Sequence, residues 1–249
     1  MITNPESGTA IDEIAAGIYR INTPVPPHVM PGGFSFNQYL VAGDEPLLFH
    51  TGPRAMFPLV REAIDRVLPA SSLRYVAFSH VESDECGSLN DFLAIAPDAV
   101  PLASSVAAFV SINDIALRPA RAMDDGETLV AGDREFEWID APHVPHNWET
   151  GYLFERTTGT LFCGDLFTQP GHDTPPLTSG DIVGPSEAFR AGGVGSGMPD
   201  FWSYSRDTAA VFEKVIAKRA LTLACMHGSA WSGGDTEPLL RELAATVIR

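Results

Sequence analysis

The fold of this chain is decided by one short stretch, His80-Val81-Glu82-Ser83-Asp84-Glu85. It follows an apolar run over residues 75–79 that is typical of a buried strand. It precedes a run over residues 86–93 that indicates the start of a helix. Three metal-capable side chains at alternate positions therefore stand on the turn that leaves a strand. One imidazole and two carboxylates form an oxygen-rich ligand set, which suits iron or manganese better than a thiolate-rich set would.

Further metal-capable residues follow apolar, strand-like segments elsewhere in the chain, namely His146, Asp165 and His227. Metal and ligand sites commonly gather where the strands of a sheet end. Together with the first stretch, these positions predict one convergent metal site at the edge of a sheet. A second histidine, His143, stands in the same loop as His146 and competes with it for the ligand role.

In this pattern the chain resembles the metallo-β-lactamase superfamily, most members of which carry H-x-H-x-D-H followed by a distant His, a distant Asp and a last His. Here Glu82 replaces the second His of the motif, and Glu85 replaces its final His. The first replacement is similar to the H-x-E-x-D motif of the flavodiiron branch. The likeness is greatest to stand-alone oxygen-binding di-iron proteins, which lack the flavodoxin domain.

The spacings between the metal-capable residues agree with this resemblance. Asp84 and His146 are 62 positions apart, His146 and Asp165 are 19 apart, and Asp165 and His227 are again 62 apart. The spacing to Asp165 favours His146 as the ligand. His143 would then line the site or support a ligand from behind.

The resemblance implies a role for each of six residues. One metal would be held by His80, Glu82 and His146, the other by Asp84 and His227, with Asp165 as the bridge between them. It also implies two iron ions, with manganese or zinc as the alternatives, and a four-layer αββα sandwich. Periodicity by itself gives only an α/β or α+β fold.

Three residues near these ligands are expected to support the site. Glu85 could bind the second metal, hydrogen-bond a ligand or cap the helix that starts near Cys86. The last two roles are favoured. Acids are common in a first helical turn, which agrees with capping. Cys86 is expected to pack beside the ligands, with a redox or ligand role as the alternative. His50 stands where the superfamily often has Asp before Thr-Gly, and we expect a structural or supporting role for it.

A coarse assignment of elements follows from apolar periodicity and turn residues. Strands are predicted over residues 17–22, 34–43, 46–49, 73–79, 133–140 and 221–226, with a hairpin of 151–155 and 160–164. Helices are predicted over residues 55–68, 202–218 and 236–248, and a short strand and helix share residues 100–110. The glycine-rich run 192–197 is predicted to be a flexible loop.

Composition limits the classes of partner and the cellular locations that can be expected. The net charge is −16, from 32 acids against 16 bases, so a polyanion would be repelled and nuclease activity is disfavoured. No run of 18 apolar residues and no signal peptide is visible, which predicts neither a membrane span nor secretion. Three cysteines, an odd number, favour a reducing compartment, so the cytoplasm is expected.

Residues 1–249 are predicted to form one domain, which leaves no room for a flavodoxin domain and predicts no flavin in this chain. By resemblance, a homodimer or higher homo-oligomer is expected, together with an external electron donor or a signalling partner. The leading function is a di-iron protein that binds dioxygen as a sensor or as a reductase, with nitric oxide as a further candidate ligand. The alternatives are a hydrolase with a metal-activated hydroxide and a binding protein with a vestigial site.

Overall fold

The computed structural model describes residues 1–248 and contains two β-sheets. The first sheet consists of β1 (Ile2–Asn4), β2 (Thr9–Ala15), β3 (Ile18–Val25), β4 (Phe34–Val41), β5 (Leu47–Phe49), β6 (Tyr75–Ala77), β7 (Val100–Ser104) and β8 (Arg121–Met123). The second consists of β9 (Thr128–Ala131), β10 (Arg134–Asp140), β11 (Gly151–Glu155), β12 (Thr160–Phe162), β13 (Leu177–Thr178), β14 (Thr222–Ala224) and β15 (Ala230–Ser232).

The first sheet runs in chain order from β1 to β8. Its pairs are antiparallel as far as β5 and parallel from β5 to β8. The second sheet has the order β13-β15-β14-β12-β11-β10-β9, and β12 runs parallel to β14. Parallel neighbours bring their carboxyl ends to the same edge of a sheet. The segments after β12 and β14 therefore leave the second sheet side by side.

Helices cover the outer face of each sheet. They are α1 (Phe57–Ile64), α2 (Ser83–Cys86), α3 (Leu89–Ile95), α4 (Ser105–Ala107), α5 (Asn113–Ile115), α6 (Val183–Gly195), α7 (Thr208–Ile216) and α8 (Glu237–Val247). In α1, Val60, Ala63 and Ile64 are buried at helical spacing, and Pro58 occupies the first turn, where a missing N–H is tolerated. The residues that recur at this spacing are the ones that fix the helix on the sheet.

Three apolar clusters give the molecule its layers. One cluster combines α1 and α3 with the first sheet, through residues such as Phe92 and Val76. A second joins the facing sides of the two sheets, through residues such as Phe49 and Phe162. The third joins the second sheet to α6, α7 and α8. This arrangement is the predicted four-layer αββα sandwich.

The first four residues of the glycine-rich run lie in a helix, so the prediction of a flexible loop over residues 192–197 was wrong for residues 192–195, while Ser196 and Gly197 form a turn. Helix α6 continues through this run to Gly195. The carboxylate of Asp181 accepts hydrogen bonds from the N–H groups of Val183 and Gly184 at the start of the helix. Val183 and Ser186 are buried. Tertiary packing and this hydrogen-bonded start outweigh the low helix propensity of glycine.

Other boundaries also differ from the sequence predictions. The helix expected over residues 202–218 begins only at Thr208, because Ser205 and Thr208 exchange hydrogen bonds that are typical of a turn. The segment 221–226 is not the last strand, since β15 follows it. Strands β1, β2, β8, β9, β13 and β15 were not predicted, and β9 alternates buried and exposed residues over only four positions. Within residues 1–248 no helix is long and apolar enough to span a membrane.

Candidate metal centre

Residues 80–85, named here the ligand turn, follow β6 and extend into α2. Glu82 is extended, and α2 begins at the next residue, so that Asp84 and Glu85 occupy its single turn. The helix predicted to start near Cys86 therefore starts at Ser83 and ends at Cys86. The turn brings His80, Glu82, Asp84 and Glu85 toward the edge of the second sheet.

His80 and Glu82 meet His146, which lies in the loop after β10. The Nε2 atoms of His80 and His146 are 3.0 Å apart. Oε1 of Glu82 lies 3.3 Å from Nε2 of His146 and 3.8 Å from Nε2 of His80. Two ligand atoms that are each about 2.1 Å from one ion lie about 3.0 Å apart at a right angle and about 4.2 Å apart when opposite. The three side chains thus have a spacing that one ion can occupy.

Asp165 stands between this group and a second one. It lies in the 3₁₀ turn Gly164–Phe167, directly after β12. Its Oδ2 atom is 3.7 Å from Nε2 of His80 and 3.6 Å from Nε2 of His146. Its Oδ1 atom is 3.2 Å from Nε2 of His227, which in turn is 3.6 Å from Oδ2 of Asp84. Each carboxylate oxygen of Asp165 therefore faces a different set of partners.

The backbone and a hydroxyl group orient two of the imidazoles. Nδ1 of His227 donates to the carbonyl oxygen of Ser35 at 2.8 Å, which directs its Nε2 atom at Asp165. Nδ1 of His80 is 2.9 Å from the hydroxyl of Ser79. Partners of this kind on the far nitrogen are what fix the tautomer and the ring orientation of metal-binding histidines.

His50 continues the hydrogen bonding behind His80. Its Nε2 atom accepts from the Ser79 backbone N–H at 3.4 Å and lies 3.0 Å from the Ser79 hydroxyl. Because that nitrogen is an acceptor, the Ser79 hydroxyl donates to it and accepts from Nδ1–H of His80. The sequence predicted a supporting role for His50 but gave no signal for Ser79. Gly164 makes this approach feasible, since a Cβ atom there would lie 2.7 Å from the Ser79 hydroxyl.

Burial and neighbouring charges act against each other on the pKa values of the site. Burial would raise the pKa of Asp165, but His227, His80 and His146 outweigh it and hold that pKa below its ordinary range. Burial lowers the pKa of His80. It acts in the same direction on His227 and His146, but nearby carboxylates, Asp165 among them, outweigh it and raise both pKa values. A metal ion would compete with protons at these two imidazoles.

The remaining predicted residues lie in different surroundings. Glu85 is fully buried and faces the site, with Oε2 3.8 Å from Nε2 of His80. In the described part of the chain its carboxylate accepts no hydrogen bond from a backbone N–H group, so Glu85 does not cap a helix, which was one of the roles predicted for it. The thiol of Cys86 donates to the backbone oxygen of Glu82 at 3.2 Å. Burial together with Asp84 raises the pKa of this thiol to about 12. Within residues 1–248 the His143 ring has no hydrogen bond, ion pair or ring contact with the other site residues. Only the backbone of His143 is engaged, with Asn147.

Aromatic rings border the centre on the side of His227. The ring of Phe34 is 4.3 Å from that of His227 between centroids, and the ring of Phe36 is 5.5 Å from it. Phe201 lies beside His146 at 6.3 Å. Phe34 and Phe36 were not singled out from the sequence, because aromatic residues in a strand look like ordinary core, and Phe201 lies outside the strands. They shield the buried nitrogen atoms from bulk water on that side.

Comparisons with known proteins show which family and which fold the chain shares. The family model described as ODP family beta lactamase matches residues 34–183. Diflavin flavoprotein A 3 of Nostoc sp. is 27% identical over 141 residues, which cover 55% of this chain and 24% of the relative. Flavo-diiron protein FprA2 of Clostridium acetobutylicum is 30% identical over 144 residues, covering 55% of this chain and 36% of the relative. The match thus spans about a quarter to a third of the length of these relatives.

A solved structure extends the likeness over nearly the whole chain. The rubredoxin oxygen:oxidoreductase of Desulfovibrio gigas superposes with a TM-score of 0.78, covering 96% of this chain and 61% of that one at 17% sequence identity. At that identity the superposition shows a shared fold. The sandwich described above is therefore the fold of a flavodiiron core.

Proposed function

The chain belongs to the ODP family of β-lactamase-type proteins, and on that premise we propose that it is a non-haem di-iron protein that binds dioxygen. Nitric oxide is the second small molecule proposed for the same site. Binding is the step that a sensor and a reductase share. A reductase would in addition need electrons from an external donor. The names of two similar proteins, a flavo-diiron protein and an oxygen oxidoreductase, support this class of chemistry.

One observation carries the proposal, namely the position of Asp165 between two sets of metal-capable side chains. One iron would be held by His80, Glu82 and His146, and the other by Asp84 and His227. Asp165 would give one oxygen to each iron, because Oδ2 faces His80 and His146 and Oδ1 faces His227.

The residues present fit such a pair of ions. Oδ1 of Asp165 is buried, and Nε2 of His227 lies 3.2 Å from it without the alignment of a hydrogen bond, although a buried carboxylate oxygen needs a partner. Within residues 1–248 no Lys or Arg forms an ion pair with Glu82, Asp84 or Asp165, whose ion pairs are with histidines alone. Cations bound between these carboxylates would supply the missing positive charge. Carboxylate and imidazole donors are also the set that suits iron.

The iron pair, when bound, supplies the redox chemistry toward dioxygen, and the side chains set the conditions for it. Negative charge on Glu82, Asp84 and Asp165 stabilises the ferric state and lowers the reduction potential. Ser79 and Ser35 hold His80 and His227 with their Nε2 lone pairs toward the centre. Phe34 limits the access of water beside His227.

The same residues suit a hydrolase less well. A hydrolytic site needs a strong Lewis acid, which polarises a carbonyl and lowers the pKa of a bound water. Three carboxylates around two ions reduce that Lewis acidity. The homo-oligomer, the cytoplasmic location and the absence of flavin stay predictions.

The proposal can be tested by loading the protein with ferrous iron or with zinc. We expect the ferrous form to consume dioxygen and the zinc form to turn over neither β-lactams nor thioesters efficiently. Glu82→His should weaken the oxygen reaction, since it removes negative charge from the first metal. Efficient hydrolysis by the zinc form, with no response of the ferrous form to dioxygen, would establish the hydrolase instead.

A further inference from the structure

Asn37 of β4 holds the segment that carries His227. This segment, Cys225-Met226-His227-Gly228, is named here the His227 turn and leaves the second sheet directly after β14. The side-chain amide of Asn37 donates to the carbonyl oxygen of Cys225 at 2.9 Å and to that of Gly228 at 2.8 Å. Its backbone N–H donates to the carbonyl oxygen of Met226 at 2.9 Å. One residue of the first sheet thus ties the start, the middle and the end of the turn.

The amide of Asn37 is itself fixed in orientation. Its side chain is fully buried, and its Oδ1 atom accepts a hydrogen bond from Nδ2 of Asn22 on β3 at 2.8 Å. Because the oxygen of an amide only accepts and the nitrogen only donates, this bond determines which way the amide of Asn37 faces. Both of its N–H groups are then directed at the two carbonyl oxygens of the His227 turn.

Neighbouring residues of β3 and β4 add further hydrogen bonds to the same turn. The Tyr39 hydroxyl donates to the carbonyl oxygen at the start of the turn at 2.6 Å, and Nη2 of Arg20 donates to the one at its end at 2.7 Å. The N–H of Gly228 donates to the hydroxyl of Ser35 at 3.1 Å. The position of His227 is therefore set by the first sheet as well as by its own strand.

We propose that Asn37 is a positioning residue, which holds the His227 turn in place and so sets the affinity of the second metal. This assignment rests on the proposed function, because that metal is the one assigned to Asp84 and His227. Besides these two side chains, only one oxygen of Asp165 would bind it. With so few ligands, a displaced imidazole leaves the ion weakly held. The loss of a partner that orients a metal-binding histidine typically weakens metal binding by about 10–100-fold.

A purely structural role of Asn37 would give a different result. Hydrogen bonds that only stabilise the fold would lower the melting temperature of the metal-free protein and affect both metals alike. A positioning role weakens one metal more than the other, and it acts only while His227 is present. Measurements of metal affinity in chains with and without His227 therefore separate the two roles.

The test uses Asn37→Ala, together with Tyr39→Phe as a milder change that keeps the ring and removes one hydrogen bond to the turn. Both are made in the wild-type chain and in His227→Ala. Thr236→Val is the matched control, because the Thr236 hydroxyl is buried and donates to the carbonyl oxygen of Ala220 at 2.9 Å, at the opposite end of β14. Affinities for the first and second equivalents of cobalt(II) are measured by competition with a chelator, together with the visible spectrum. Thermal unfolding and circular dichroism of the metal-free proteins verify folding.

We expect Asn37→Ala to weaken one equivalent of cobalt(II) by about tenfold or more, to leave the other within about twofold and to alter the visible bands. Tyr39→Phe should weaken the same equivalent by about threefold or more. In the His227→Ala chain, Asn37→Ala should leave the remaining affinity within about twofold. Thr236→Val should lower the melting temperature of the metal-free protein and leave both affinities within about twofold.

Unchanged affinities for both equivalents in Asn37→Ala and Tyr39→Phe would overturn the assignment. A loss in the His227→Ala chain as large as that in the wild-type chain would also overturn it, since Asn37 would then act through another residue. If Asn37→Ala does not fold, Tyr39→Phe decides by the same criteria. Failure of the wild-type protein to bind two metals would instead refute the proposed function.

Discussion

The ligand turn carries four metal-capable side chains within six residues, whereas the second sheet contributes His146, Asp165 and His227 from three separate strand ends. The turn supplies mainly charge, because three of its four side chains are carboxylates. The second sheet supplies two of the three imidazoles and the carboxylate that faces both groups. The local turn thus supplies most of the negative charge around the metals, while the packed sheet sets the distance between them.

The largest expected effect comes from the residue that joins the two regions. Asp165→Ala should abolish the binding of both metals, because Oδ1 and Oδ2 face different partners. The metal content of the purified variant, measured by elemental analysis, tests this. An alanine at His143, whose ring forms no hydrogen bond, ion pair or ring contact with the centre within residues 1–248, is the control and should leave the content at two per chain. Two equivalents retained in Asp165→Ala would show that the regions bind metals independently.

Behind the ligands, the two regions are in contact through Ser79 and Gly164. This contact can be disrupted without substituting a ligand. Gly164 has a φ of +49°, and a Cβ atom there would lie 2.9 Å from Cβ of Ser79. Gly164→Ala should therefore reduce the free energy of unfolding by about 1–3 kcal/mol in a urea titration. In Gly192→Ala, where a Cβ meets open space within α6, the free energy should rise by up to about 1 kcal/mol. Equal effects of the two changes would contradict the close packing described here.

A smaller effect is expected from the residue behind the ligand turn. Burial lowers the pKa of His50 from 6.5 to about 3. Between these values the unfolded chain binds a proton that the folded chain does not, so the free energy of unfolding falls as the pH falls, by about 1.4 kcal/mol per pH unit. His50→Gln should remove this contribution between pH 6.5 and 5, measured by denaturation of the metal-free protein. The same pH slope in both proteins would mean that His50 is protonated in the folded state.

The smallest effect is expected at Cys86, beside the ligand turn. Its thiol donates to the Glu82 backbone, and within residues 1–248 it belongs to none of the groups of metal-capable atoms that lie within 4.8 Å of one another. Cys86→Ser should thus leave both metal affinities within about threefold, measured by competition with a chelator. A loss of about tenfold or more would restore the alternative in which Cys86 is a ligand.

The two regions also differ in how much of them could be predicted from the sequence. The ligand turn could be predicted because its side chains are neighbours in the chain and directly follow a recognisable strand. His146 was preferred over His143 only through its spacing to Asp165, and the structure brings its ring to the centre. Ser79 and Gly164 carried no such signal, because their importance lies in a contact between two sheets.

Helix α6 shows the same limit in the fold. Its glycines have low helix propensity, and the features that support the helix, the carboxylate of Asp181 and the buried Val183 and Ser186, lie at its start. By contrast, α8 was predicted nearly to its ends, because Leu240, Leu243 and Val247 repeat at helical spacing after Pro238. Periodic apolar segments are therefore predictable from sequence, and elements held by a few tertiary contacts are not.

The central claim is that the ligand turn and the second sheet together hold two irons that react with dioxygen. The most direct measurement is the iron content and visible absorption of protein purified without oxygen, recorded before and after exposure to air. The account predicts two iron ions per chain and a new visible charge-transfer band in air. An iron content of one or less, or a spectrum of the fully loaded ferrous protein that does not change in air, would contradict it.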